Sequence, residues 1–352
     1  MAKRHTEQNH KQALGQYFTS NADRVLSGFE HCVKDKHVVD PFAGAGDLLR
    51  WAHSNGAASV GGYDLEPQNS EYIQNDSIVN PPDYTGKIVV SNPPYLSKNK
   101  YKGDKAPFEQ WQQDNLYKCH LASLVSADEF IEIIPTNFFC ESRDAIRKTL
   151  FATHSIVSAS FWTEAAFDDT KQMVTVIHGV RVKRNIQSFP LTFMPDRVTV
   201  NVELLPEHKY LHGKEFFEYL DTGNTVDLKV TKTDTGMPKP NSNIVIGILD
   251  KGSWRSGFSY NEHEPVYTKP SSFTTYQLTL SRTFTEAEQR AIVDLAQHKL
   301  ESYRQRYNDM FLANYMGDYQ KILSRDFLHR LLRAVVRELG YNKFEDELFE
   351  WN

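Results

Sequence analysis

With 352 residues, 40% of them hydrophobic, and a formal net charge of -5, the chain can bury the cores of two domains, or of one domain with a large appendage. No apolar run is long enough to span a bilayer, and the polar start Met1-Ala-Lys-Arg-His5 lacks the stretch of a secretory signal, so no membrane partner is expected. Three widely spaced cysteines (Cys32, Cys119, Cys140) and 13 histidines without paired ligand spacing speak against a disulfide framework or a metal site and for a reducing cytoplasm. A net acidic chain meets nucleic acid only through a local basic patch.

Lys11 to Thr19 is a glycine-containing approach to a helix that Ser20 or Asn21 can cap. His37-Val-Val-Asp40 is a short strand, Pro41-Phe-Ala-Gly-Ala-Gly-Asp47 the turn after it, and Leu48 to His53 a helix. Gly44 and Gly46 let that turn bend tightly and approach a ligand, but the third glycine of a dinucleotide loop is missing. A second strand, Ser59 to Tyr63, ends in Asp64, where a carboxylate can accept from sugar hydroxyls. Asp76 follows in Tyr72-Ile-Gln-Asn-Asp-Ser77. The run Ile88 to Val90 reads as a buried strand that two prolines stop in Asn92-Pro-Pro-Tyr95, leaving Asn92 and Tyr95 at a strand's carboxyl end.

Beyond it, Lys98, Lys100, Lys102 and Lys105 surround Tyr101 and Gly103 in a loop that is either a solvated arm or a grip on phosphates. Glu109–Leu124 reads as one helix, Phe130–Ile134 as a strand ended by Pro135, Arg143–Phe151 as a helix, and Ile156–Trp162 and Met173–Arg181 as strands. Strands alternating with helices predict an α/β fold with a mostly parallel sheet covered on both faces. The first domain is expected to end near Lys183 or Arg184, giving domains 1–184 and 185–352. The second is mixed α+β: Phe189–Leu205 is strand-like, 232–243 is a polar loop with Lys239, and Ser256–Phe273 is turn-rich. Thr285-Glu-Ala-Glu288 is a capping box opening a long helix, and Ser324 caps a final helix carrying Arg330, Arg333 and Arg337.

Asn92-Pro-Pro-Tyr95, downstream of Asp40-Pro-Phe-Ala-Gly-Ala-Gly46, Asp64 and Asp76, resembles the motif series of S-adenosylmethionine-dependent DNA adenine-N6 methyltransferases. The order, with cofactor motifs before the catalytic turn and a large segment after, is similar to the gamma class of type II restriction–modification systems. The resemblance covers about residues 11–182. It implies a Rossmann-like catalytic domain followed by a C-terminal target-recognition domain, S-adenosyl-L-methionine as cofactor, and double-stranded DNA as substrate. In this resemblance Tyr17, Thr19, Asp40, Phe42, Gly44, Gly46, Asp64 and Asp76 hold the cofactor. Asn92, Pro93, Pro94 and Tyr95 form the catalytic turn. Tyr95 stacks on a flipped adenine, with Phe167 (or Phe161 or Trp162) on its other face; a plain core role serves any of those three equally well. The lysines of residues 98–105 would touch the DNA backbone. The family often has Thr-Pro where this chain has Thr19-Ser20.

A cognate restriction endonuclease sharing the target, a monomeric state, and a cytoplasmic, nucleoid-associated place for a bacterial or phage-encoded protein follow as expectations. Alternatives are an RNA nitrogen methyltransferase and a DNA cytosine-N4 methyltransferase, although the latter more often begins its tetrad with Ser. A protein-glutamine methyltransferase shares Asn-Pro-Pro-Tyr but usually carries a helical domain before its cofactor loop, and only 36 residues precede the first strand here. A non-enzymatic subunit with a degenerate site is disfavoured by the intact motifs.

Overall fold

A computed structural model of the chain describes residues 19, 21–167, 172–221, 228–232, 240–251, 255–263, 275–307, 313–315 and 321–341. The chain divides into two compact units between His212 and Gly213.

The first unit is built on nine strands: β1 (His37–Asp40), β2 (Ser59–Asp64), β3 (Ile73–Gln74), β4 (Ile88–Ser91), β5 (Glu129–Pro135), β6 (Ser155–Trp162), β7 (Val174–Val180), β8 (Gln187–Met194) and β9 (Val198–Leu204). They lie in the order β3-β2-β1-β4-β5-β7-β6-β8-β9. β3, β2, β1, β4 and β5 are mutually parallel, while β7 runs antiparallel between β5 and β6. The strand order reverses between β1 and β4, paired through Val38–Ile88 and Val39–Val89, and at such a switch point an open α/β sheet leaves a crevice beyond its carboxyl ends. This is the Rossmann-like α/β sheet expected of the chain.

The helices of this unit are α1 (Asp47–Ser54), α2 (Leu116–Ser123) and α3 (Ala145–Phe151), with short helical turns at Ala22–Val25, Ala106–Gln110 and Asn137–Cys140. Leu48, Leu49, Trp51 and Ala52 of α1 pack with Val25, Leu26 and Phe29 against Val38, Ile88, Val90, Ile131 and Ile133. Every residue of α2 is buried. Its cation Lys118 is held by Asp114 at 2.8 Å and Glu141 at 2.7 Å, as a buried ammonium requires.

Two expectations change. Glu109–Leu124 is not one helix: the chain breaks after the first turn, Gln112 takes φ 52°, and Asn115 restarts it by accepting the Tyr117 N–H. The expected boundary at residue 184 falls inside the sheet, because β8 pairs with β6 and β9 with β8. Phe189, Leu191 and Phe193 point inward on β8 while Ser188 and Pro190 point out.

The second unit contains α4 (Lys214–Asp221), β10 (Val230–Lys232), β11 (Ile244–Gly247), β12 (Leu249–Asp250), β13 (Gly257–Tyr260), β14 (Thr275–Leu280), α5 (Glu286–Tyr307), β15 (Ala313–Tyr315), β16 (Lys321–Leu323) and α6 (Arg325–Glu338). One sheet has the order β10-β14-β11-β13 and another β12-β16-β15. The capping box forms: Glu288 Oε2 accepts the Thr285 N–H at 2.7 Å and Thr285 Oγ1 accepts the Glu288 N–H at 3.3 Å. Ser324 caps α6 through the Phe327 N–H. The turn-rich reading of 256–273 gives way to a strand at Gly257–Tyr260, and 233–239 and 264–273 lie outside the described residues. No described helix is long and apolar enough to cross a membrane.

Candidate active site

The buried strand β1 delivers Asp40 to the sheet's carboxyl edge, where its Oδ1 accepts the Phe42 N–H at 2.9 Å. The backbone then turns through Gly44 (φ 49°) and Gly46 (φ 82°) into α1. Such left-handed angles are the reason for glycine here, and a Cβ on Gly46 would lie 1.9 Å from the Tyr72 hydroxyl. Asp64, at the end of β2, clamps the loop: Oδ2 accepts the Gly44 N–H and Oδ1 the Glu66 N–H, both at 2.8 Å. Burial first, then the charges of Glu132 and Asp64, push the Asp40 carboxyl well above the usual carboxylate range, opposed by the Phe42 N–H.

β4 ends at Ser91, and Asn92 follows half-buried on the other side of the switch point. Its Nδ2 donates to Thr19 Oγ1 at 3.1 Å. The Tyr95 hydroxyl meets Asn92 Oδ1 and, at 2.7 Å, the Ile133 carbonyl, while the Tyr95 ring stands edge-on to Tyr117. Between the two turns opens a cleft lined by Thr19, Asp40, Phe42, Gly44, Asp64, Asn92 and Pro94, all singled out from the sequence. Asp47, Glu66 and Gln68 also line it and were not. Their signal was adjacency alone: Asp47 opens α1, and Glu66 sits two residues past Asp64. Asp40, Asp47, Asp64 and Glu66 put four carboxylates in the wall, and among the described residues no lysine or arginine lines it. Arg50 stands on the exposed rim, paired with Asp47 at 2.5 Å.

Sequence reasoning also missed a polar group behind the Asn92-Pro-Pro-Tyr95 turn. Ser91, His120 and Glu132 are all fully buried. Ser91 Oγ donates to Glu132 Oε2 at 2.7 Å, His120 Nε2 lies 3.0 Å from Glu132 Oε1, and the His120 ring meets Phe42 edge-on at 4.8 Å. Residues 12 and 41 positions apart leave no local pattern from which the group could be read.

Other named residues lie elsewhere. Asp76 does not line the cleft; its Oδ1 accepts the Ile78 and Val79 N–H groups at 3.1 and 3.3 Å, the geometry of a turn cap. Gly46 and Pro93 shape the two turns without lining the cleft. Phe167 is 2% exposed in the core with Trp162 and Met194, and Phe161 is likewise buried, so the structure brings none of these rings to the cleft. An aromatic before a polar segment reads alike in either role, and here the apolar surroundings take it. Tyr17 lies outside the described residues. Lys100, Lys102 and Lys105 are exposed, and Lys98 lies 3.8 Å from Glu109.

No protein-family model matches this chain, and no curated protein does. Among solved structures, a modification subunit of a candidate type I restriction enzyme of Vibrio vulnificus YJ016 is 14% identical, with TM-score 0.42 over 62% of this chain and 55% of the other. A type I restriction–modification methyltransferase subunit from Streptococcus thermophilus is 13% identical, with TM-score 0.38 over 51% and 47%. The type IIL enzyme MmeI, in complex with DNA, is 10% identical, with TM-score 0.38 over 70% and 42%. The chain thus spans about half the length of these proteins, and likenesses this distant carry no inference about activity.

Proposed function

We propose that this chain is an S-adenosylmethionine-dependent DNA methyltransferase that modifies N6 of an adenine swung out of the duplex. One observation carries the reading: an acidic cleft at the switch point, without a lysine or arginine among its described lining residues, with Asn92 and Pro94 on one wall and the glycine turn on the other. The donor set fits a cationic cofactor, since four carboxylates suit its ammonium and sulfonium and the glycine turn leaves room for its chain. When bound, the cofactor supplies an electrophilic methyl group. Asp40 would face the ammonium, Asp64 and Glu66 the ribose hydroxyls, and Thr19 the methionine end.

The residues of the turn supply the rest. Adenine N6 is a poor nucleophile because its lone pair is conjugated into the ring. The Asn92 amide oxygen and the Pro93 carbonyl, accepting its two N–H bonds, would draw the nitrogen toward a tetrahedral form and aim its lone pair at the methyl, and the acidic ammonium so formed would lose one of its protons to solvent. The prolines hold both acceptors in place before substrate arrives. Tyr95 offers a ring face, and unstacking the base costs a few kcal/mol, roughly what stacking and hydrogen bonding return. The second unit would read the target sequence, with a restriction endonuclease of the same specificity as functional partner. Incubation with methyl-labelled cofactor and separate DNA, RNA and protein substrates tests the reading, followed by sequencing of modified plasmid for base and target. Label in RNA or protein alone, or in cytosine, would refute it.

A further inference from the structure

One face of the sheet changes character along β6 and β8. Trp162 and Met194, at the carboxyl ends, join the apolar core, whereas Ser160 and Thr192, two residues earlier on the same face, carry hydroxyls. The register aligns them: Ser160 pairs with Thr192, and Thr192 with Thr199 of β9. A groove opens over this row, bounded by Ser27 and by Arg197 of the β8–β9 turn. It shares no lining residue with the acidic cleft, and no aspartate or glutamate is among its described lining residues.

Two features of the groove call for a ligand. Ser160 is 3% exposed, and its Oγ is buried without a hydrogen-bond partner among the described residues. A buried hydroxyl left unmatched costs stability, and alanine would fill that place in the sheet without the cost. Arg197 is the second feature. Its Nη2 donates to Ser27 Oγ at 3.0 Å, which holds the guanidinium at the groove's exposed edge, and no described carboxylate pairs with it. A guanidinium keeps its charge at every pH a protein meets. The nearby carboxylates are engaged elsewhere: Glu30 accepts the Gly28 N–H at 2.8 Å, and Glu129 holds Lys36 and His178. Asp196 precedes Arg197 in the turn but does not line the groove. The Thr192 and Thr199 hydroxyls lie 2.9 Å apart, so one proton bridges them and the other is left to donate.

We propose that this groove binds a phosphate group, with Arg197 supplying the charge and Ser160, with Thr192 or Thr199, the hydroxyl donors. Donors from the sheet floor and from the turn suit a tetrahedral oxyanion, which accepts in several directions, better than a planar carboxylate. The proposal stands independently of the methyltransferase reading. Two sources carry such a group, a small phosphate compound and the backbone of a nucleic acid. The second deserves its own arm, because β8 runs parallel to β6, and β6 in the sense of β5 and β4. The Arg197 turn therefore emerges at the same sheet edge as Asn92-Pro-Pro-Tyr95.

The test is calorimetric titration of the full chain with inorganic phosphate at constant ionic strength, with acetate as the planar comparison. Phosphate should bind saturably, more tightly than acetate, and raise the melting temperature. Arg197→Gln and Ser160→Ala should each weaken phosphate binding at least about fivefold. Without phosphate, Ser160→Ala should melt no lower than the unaltered protein, since it loses only an unmatched hydroxyl. A lower melt there would give that hydroxyl a structural role and overturn its part in the site. No saturable binding, acetate binding as tightly as phosphate, or unchanged affinity in both variants would overturn the proposal itself. Displacement of phosphate by a short DNA duplex would identify the backbone as the source, and binding that the duplex leaves unchanged would assign the site to a small compound.

Discussion

The Tyr95 hydroxyl, with one proton, stands between two carbonyl-type oxygens, Asn92 Oδ1 and the Ile133 carbonyl. The Asn92 acceptor is thus engaged in the unliganded chain, and on the proposed function an incoming amino group must take the hydroxyl's place while the hydroxyl turns to Ile133.

Two consequences separate ring from hydroxyl. Tyr95→Phe keeps the stacking face and removes the competitor, so single-turnover methyl transfer should stay within about tenfold of the unaltered protein. Tyr95→Ala should lose about 10- to 100-fold more, the worth of base–aromatic stacking. Asn92→Ala should lower transfer by about two to three orders of magnitude with cofactor affinity nearly unchanged. Weak cofactor binding in that variant would move Asn92 from catalysis to cofactor holding.

Asp40 sets a stability cost against binding. Its carboxyl is held well above the usual range by burial first, then by Glu132 and Asp64. At pH below the ordinary carboxylate range, folded and unfolded chains both keep the proton and no penalty arises. As pH rises through the raised folded value, the folded chain must ionise a buried group, and that stability is lost. Asp40→Asn should therefore melt above the unaltered protein at pH 8, the gap closing toward pH 4, while cation binding weakens. A gap constant with pH in thermal melts would contradict this account.

The domain boundary gives another test. β8 and β9 bury Leu191, Phe193, Val202 and Leu204, and the fully buried Arg147 donates through Nε to the Lys209 carbonyl at 2.9 Å. A chain ending at Arg184 would expose the β6 edge and this apolar face. Residues 1–184 should aggregate, whereas 1–212 should be soluble and melt cooperatively. Equal behaviour of the two fragments would return the boundary to residue 184.

That boundary illustrates what was legible in the sequence. β1, β2, β4 and β5 announced themselves through short runs closed by Asp or Pro, with the glycine turn and Asn92-Pro-Pro-Tyr95 at the ends of β1 and β4, whereas the two-residue edge strand β3 (Ile73–Gln74), exposed and without an apolar run, went unread. The Lys183-Arg184-Asn185 stretch looked like a linker because polar residues between strands resemble those between domains. Pro190 masked the inward alternation of Phe189, Leu191 and Phe193. Long-range pairings, such as Ser91 with Glu132 or Tyr95 with Ile133, leave no mark in a one-dimensional pattern.

The lysine loop bears on the proposed DNA partner. Ser97 bridges to Asn115, the Lys98 N–H donates to the Asp114 carbonyl at 2.8 Å, and the Tyr101 ring packs edge-on against Phe108 at 5.4 Å. The arch is therefore anchored at its base, and Lys100, Lys102 and Lys105 are held out in solvent just past Tyr95. If they neutralise phosphates flanking the flipped base, duplex affinity should fall with salt, and each Lys→Ala should reduce that slope by about one unit. Lys98→Ala should matter less, since Glu109 already lies near its ammonium. Fluorescence anisotropy of a labelled duplex between about 50 and 200 mM salt reads the slope directly. A triple Lys100, Lys102 and Lys105 replacement that keeps both affinity and slope would place the phosphate contacts elsewhere, with Arg330 and Arg333 of α6 the next residues to replace.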